Sequence, residues 1–196
     1  MWICPKCNSE VEDNYFECWK CFSPKPGVDD RVAWFDPTNS VPLVIPESLL
    51  DDWQGAEPSA PGIPSQDQER AFAVDGWIGT IVVGSGQALV LNDTPTNAGF
   101  FVRDGSLCIL RWLCADSVND LMALVESDSP PTDNPPPVSF IHPGGRLCLI
   151  GAGDSGSELE YQPSAMELAA GRYTVTTCIM KKPRTEVLIH RFDHVA

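Results

Sequence analysis

Trp77-Ile78-Gly79-Thr80-Ile81-Val82-Val83-Gly84-Ser85-Gly86-Gln87-Ala88-Leu89-Val90-Leu91 carries the reading of the fold. Two apolar runs, one rich in β-branched residues, flank a Gly-Ser-Gly turn. That arrangement predicts strands over 77–83 and 87–91 joined as a hairpin. The pattern repeats downstream, where Phe100 to Val102 and Leu107 to Trp112 flank Asp104-Gly105. Next, Ser117-Val118-Asn119-Asp120 resembles a capping box, with Asp in place of the usual Glu or Gln. Val118, Leu121, Leu124 and Val125 follow at helical spacing, which predicts a helix over 118–127 with one buried face.

Outward from this block the chain stays β-rich. Residues 129–137 hold five prolines and read as a loop. Strands are expected at 138–141, 146–150, 172–180 and 185–192, with turns at Gly144-Gly145 and Ala170-Gly171. Upstream, Trp34 to Ile45 reads as extended chain, and Pro46 is placed to open a short helix through Trp53. Residues 56–66, with Pro58, Pro61 and Pro64, form another loop. The chain shows neither an internal repeat nor alternation of strands with helices, which argues against a doubly wound nucleotide fold. The expected class is α+β and β-dominated. A small N-terminal zinc ribbon, 1–27, precedes a mostly antiparallel β domain with two short helices, 31–196.

The ribbon rests on Cys4-Pro5-Lys6-Cys7 and Cys18-Trp19-Lys20-Cys21, two CxxC pairs ten residues apart. Each pair suits a tight turn that aims both sulfurs inward, so two turns supply a tetrahedral thiolate cage. Some 25 residues bury too little apolar surface to fold alone, so the metal supplies folding energy. Four protein ligands leave no open position for catalysis. Structural zinc is the expected occupant; iron bound as in rubredoxin, or disulfides, are the alternatives. Trp2 to Cys21 resembles the short zinc ribbons found at the N-termini of bacterial proteins. Lys6, Lys20 and Lys25 are outnumbered by Glu10, Glu12, Asp13, Glu17, Asp29 and Asp30, which disfavours nucleic acid as the partner of this segment. Ser23-Pro24-Lys25-Pro26-Gly27 is a stiff linker.

The chain has 196 residues, 43% hydrophobic and 20% charged, a composition that excludes wholesale disorder. No apolar run approaches the ~20 residues of a membrane span. The N-terminal stretch lacks the features of a signal peptide, so the expectation is a cytoplasmic protein without membrane contact. The net charge of −14 lies almost wholly in the first 140 residues. Such a field repels phosphates and favours a basic partner, or serves solubility alone. Cys108, Cys114, Cys148 and Cys178 sit in apolar contexts and read as buried small hydrophobes.

Several motifs suggest catalysis without completing it. Gly151-Ala152-Gly153-Asp154-Ser155-Gly156 matches GxGxxG after a strand, but an acidic, proline-broken stretch follows instead of a helix. A flexible hairpin loop is expected there. Gly153-Asp154-Ser155-Gly156 also matches the nucleophile loop of trypsin-like proteases, yet His142 lies only thirteen residues before Ser155. His190 and His194 read as surface or satisfied side chains with no shared face. No catalytic constellation emerges.

Several runs together resemble the immunity protein 21 family, bacterial antitoxins of polymorphic toxin systems. The most specific is Asp67-Gln68-Glu69-Arg70-Ala71-Phe72-Ala73-Val74-Asp75-Gly76-Trp77-Ile78-Gly79. Pro42 to Ser48, Val83-Gly84, Gln87 to Leu91, Asp93-Thr94-Pro95, Arg111-Trp112, Gly171 to Val175 and Leu188 to Phe192 extend the resemblance over about 34–194. Gln68 stands where the family favours Tyr, and Ser40-Val41 where it favours Gly-Gly. The resemblance implies a non-enzymatic protein that neutralises a cognate protein toxin by docking on it, and it supplies no catalytic residues. Aromatic and charged residues near turns make Arg70, Asp75, Trp77, Asp93 and Trp112 the candidate partner-binding set. The alternative places Trp77 and Trp112 in the core and pairs Arg70 with a local acid. Two other functions remain open: a zinc-ribbon adaptor or regulator contacting nucleic acid or transcription machinery, and a small ligand-binding or hydrolytic β domain using Asp154 or Ser155.

Overall fold

The computed structural model describes residues 1–12, 15, 18–21, 31–37, 40–56, 66–92, 96–127 and 129–195. The expected linker 23–27, residues 57–65 of the first proline-rich loop, and Asp93 lie outside the described residues.

Alternation of apolar and polar side chains builds two sheets. Four elements open the main domain: β3 (Ala33–Phe35), β4 (Pro42–Pro46), a 3-10 helix (Glu47–Asp52) and α1 (Gln66–Phe72). The hairpin β5 (Gly79–Val83) and β6 (Gly86–Val90) follows, then β7 (Ala98–Arg103) and β8 (Ser106–Cys114). After α2 (Val118–Val125) come β9 (Val138–His142), β10 (Gly145–Gly151), β11 (Ser164–Leu168), β12 (Gly171–Lys182) and β13 (Thr185–Val195). The N-terminal segment contributes β1 (Trp2–Ile3) and β2 (Glu10–Val11), which pair with each other. In the main domain the strand orders are β11-β10-β4-β6-β5 and β3-β7-β8-β13-β12-β9, with every pairing antiparallel.

The sheets pack face to face. Val44, Leu89, Leu147 and Leu149 meet Phe100, Ile109, Phe140, Val175 and Phe192 in one buried cluster. Because side chains alternate along a strand, the intervening residues face outward and need their own cover. On the six-stranded sheet, Phe101, Cys108, Leu110, Val187 and Ile189 pack under Val118, Leu121, Met122, Leu124 and Val125 of α2. On the five-stranded sheet, Leu43, Ile45, Val90, Cys148 and Ile150 pack under Leu49, Trp53 and Ala71. The result is four layers: α2, six strands, five strands, then the 3-10 helix with α1. The sheets also meet along their edges. Ser164 Oγ donates to Ala33 O at 3.0 Å on one side, and Ile141 N–H donates to Gln87 Oε1 at 3.0 Å on the other.

The β-dominated α+β class holds, with three departures in detail. Trp34 to Ile45 is not one extended segment, since β3 and β4 enter different sheets. The expected helix after Pro46 is 3-10 in form. The structure adds α1, a third helix, and the edge strand β11. The capping expectation is met with a twist. Asp120 N–H donates to Ser117 Oγ at 3.1 Å, but the Asp120 carboxylate accepts the Ser117 hydroxyl at 2.6 Å. One methylene shorter than Glu, Asp120 engages the capping side chain rather than its backbone amide.

Candidate functional site

The knuckle at Cys4 is built by backbone hydrogen bonds. Asn8 N–H donates to Cys4 O and Cys4 N–H to Ser9 O, each at 2.9 Å, while Asn8 takes a positive φ of 60°. Asn is among the few residues that tolerate that left-handed conformation. The turn brings Cys4 and Cys7 against Cys18 and Cys21. Sulfurs approach across the two knuckles, Cys4 to Cys21 and Cys7 to Cys18, each at 3.4 Å. All four lie within 4.8 Å of one another as free thiols. A tetrahedral ion with metal–sulfur bonds of about 2.3 Å places its ligands about 3.8 Å apart, so the cluster has the dimensions of a metal cage. It can hold a metal ion. The Ser9 hydroxyl and amide pull the Cys7 thiol down to about 6. Burial pushes the Cys18 thiol up. A divalent ion stabilises the thiolate form of all four. Among the described residues of this segment, Trp2 and Val11 are buried with Cys4 and Cys18, a small core that such a centre would complement.

The candidate partner-binding residues are scattered. Arg70 is half exposed, forms an i,i+3 ion pair with Asp67, and donates to Val82 O at 2.8 Å. It thus clamps α1 to the outer edge of β5. Asp75 is exposed and Trp77 is partly buried. Trp112 packs edge-on against Trp34, with ring centroids 5.9 Å apart, beside the α2 cluster. Asp93 is outside the described residues. Arg70 stands on α1, whereas Trp112 packs beside the α2 cluster.

The loop at 151–157 is pinned at several points. Asp154 Oδ2 accepts from Gly151 N–H at 3.0 Å and from the Tyr161 hydroxyl at 2.5 Å. Gly153 N–H reaches Ser40 Oγ and Gly156 N–H reaches Trp53 O, both at 2.9 Å. Burial and the Asp154 carboxylate push the Tyr161 phenol upward. Ser155 is buried, and its hydroxyl meets Ser157 Oγ at 3.1 Å rather than a base. Asp154 thus accepts from its own loop, and among the described residues no base is hydrogen-bonded to the Ser155 hydroxyl.

Among the histidines and remaining cysteines, His194 is exposed and Cys108 and Cys148 are buried as expected, while Cys178 is half-buried. The departures are the shared face of His190 and His194 and the exposure of Cys114. His190 and His194 share a face, since a spacing of four is a multiple of the strand period, but they stand about 13 Å apart along β13. His190 is wholly buried between the sheets, with Nδ1 at 2.9 Å from Thr177 Oγ1 and Nε2 without a hydrogen-bond partner among the described residues. Burial, aided by the fully buried Arg111, lowers it to about 3. Cys108 and Cys148 are buried, and desolvation raises both thiols to about 11. Cys114 is exposed, contrary to expectation, because it ends β8 beyond the cover of α2.

A feature the sequence did not announce lies where the two sheets meet. A cleft of about 490 Å³ is lined by Leu49, Val82, Gly86, Gln87, Ile141 and Pro143, among others.

Against known proteins, residues 33–186 match the family model described as immunity protein 21. That span runs from β3 into β13 and includes both sheets. No curated protein and no solved structure matches the chain.

Proposed function

We infer the function from one premise: the chain belongs to the immunity protein 21 family. Its proposed role is to bind and neutralise a cognate bacterial toxin by docking on it, without catalysis, in the cytoplasm of the bacterium that makes it. The observation that carries this reading is the match across 33–186. Two features of the molecule support it. Ser155 and His190, the side chains best suited to nucleophile and base, are both buried and engage Ser157 and Thr177 rather than each other. The acidic charge of the chain suits a basic partner protein and opposes nucleic acid. For the ribbon, zinc is the proposed metal, in a structural role held by Cys4, Cys7, Cys18 and Cys21, since four thiolates fill a tetrahedral shell and leave no place for substrate.

A tagged pull-down in nuclease and high salt tests the reading, with bound proteins identified by mass spectrometry and then co-expressed with the chain. The expected result is one stoichiometric partner with a toxin domain, whose growth inhibition the chain relieves. Recovery of ribosomal or polymerase components, lost on Cys4→Ser, would overturn it in favour of a ribbon-borne adaptor role.

A further inference from the structure

Resting on the immunity reading, we propose that the cleft between the β5–β6 hairpin and β9 receives a basic, extended segment of the toxin. One wall is the 3-10 helix, which contributes Leu49; the others are the hairpin, through Val82, Gly86 and Gln87, and the end of β9, through Ile141 and Pro143. Val82 and Ile141 are 62% and 49% exposed, although both belong to strands at sheet edges. Exposed aliphatic side chains at an edge invite aggregation, and proteins retain them where a partner covers them.

Charge identifies the occupant. The 3-10 helix reads Glu47-Ser48-Leu49-Leu50-Asp51-Asp52 and has no basic residue in its last turn. Glu47 is paired with Arg146 at 2.6 Å, but Asp51 and Asp52 enter no ion pair among the described residues. Carboxylates at a helix C-terminus oppose the partial negative charge of its free carbonyls, so their placement gives no local stability. Asp52 also leans on the hairpin turn, its Oδ2 only 2.0 Å from where a side chain at Gly84 would begin. The Asp52 carboxylate beside the hairpin turn, next to a cleft that exposes Leu49, Val82 and Ile141 together with Ser48, Ser85 and Gln87, is complementary to lysine or arginine flanking an aliphatic side chain.

The mode of contact follows from the backbone. The Val82 carbonyl is taken by Arg70, and the Ile141 amide by Gln87. With these edge groups already satisfied, the occupant binds through its side chains rather than as an added strand. Arg70 then serves the interface by closing the β5 edge.

Two arms test the proposal. In the first, the captured toxin is titrated with the wild-type chain, Asp51→Asn/Asp52→Asn, Val82→Glu, and the control Asn119→Ala on exposed α2 surface. Both cleft variants are expected to weaken binding by roughly tenfold or more, the double variant also flattening the salt dependence, with the control unchanged. Wild-type affinity in both cleft variants overturns the cleft and leaves the immunity reading standing. If the wild-type chain captures no toxin, the immunity reading fails, and the second arm decides the cleft alone. There, the capped pentapeptide Lys-Val-Lys-Leu-Lys is added to the 15N-labelled chain at millimolar concentration. Amide shifts at Val82, Gly86, Gln87 and Ile141 that vanish in Asp51→Asn/Asp52→Asn support the cleft. Shifts elsewhere, or none, refute it.

Discussion

Acidification is expected to destabilise the β domain through one side chain, His190. It lies wholly buried between the sheets, near the cationic Arg111 and bonded to Thr177 on β12. Protonation would bury a second positive charge beside the first. Folding holds the imidazole at about 3, whereas in the unfolded chain it titrates near its ordinary 6.5. Between those values the unfolded chain binds the extra proton, so the stability from a neutral His190 is full above pH 6.5 and falls as pH drops. The loss by pH 5 is about 2 kcal/mol relative to pH 7.5, and it continues toward pH 3. Urea denaturation at pH 7.5, 6 and 5 measures it, with His190→Leu as the reference. That variant forfeits the Thr177 hydrogen bond at a cost of about 1 kcal/mol that does not change with pH. Every other group is common to both proteins, so its contribution cancels in the comparison. Wild type should therefore lose about 2 kcal/mol more than His190→Leu between pH 7.5 and 5. Equal losses would show that His190 titrates normally and would refute the buried neutral imidazole.

Three further outcomes are expected. Cys18→Ser removes one of two fully buried sulfurs of the cluster, so a chain that purifies with one equivalent of zinc should retain almost none, as metal analysis and a chromogenic chelator will read. Leu121→Ala opens a cavity between α2 and the six-stranded sheet, and should cost about 3 kcal/mol and lower the melting temperature by roughly 10 °C in a calorimetric scan. Gly55→Ala places a methyl group 2.3 Å from the Asp154 carbonyl oxygen at a φ of +60°, whereas Gly76→Ala, at +81°, meets open space. The first should cost about 3 kcal/mol and the second about 1 in matched denaturant titrations.

What the sequence made legible follows the range of the interactions involved. The β5–β6 hairpin, the strand alternation of β8 and the helical spacing of α2 are set by neighbours in the chain, and they lie where the pattern placed them. The thiolate cluster was equally readable, because CxxC spacing is a local geometric constraint. α1 was missed because Gln66–Phe72 buries only Ala71 and so has no apolar stripe. β11, a half-buried edge strand, shows no sustained alternation. The assignment of β3 and β4 to different sheets depends on pairing with β7 and β10, far along the chain. The full burial of Arg111 and His190 could not be read from the chain, because charged and polar side chains are ordinarily exposed and only the closed sandwich buries these two. The cleft could not be seen at all, since Val82 and Ile141 become neighbours only when two sheet edges meet.

In the proposed role, the chain silences its toxin by occupying it. The direct measurement titrates a fixed amount of the active toxin domain with the purified chain and follows the toxin's own activity, with mass spectrometry of both proteins at the end. Docking predicts a linear fall in activity that reaches its floor at a fixed stoichiometric ratio, with both chains chemically unaltered. Suppression by a small fraction of an equivalent, a covalently changed toxin, or undiminished activity in excess chain would contradict it.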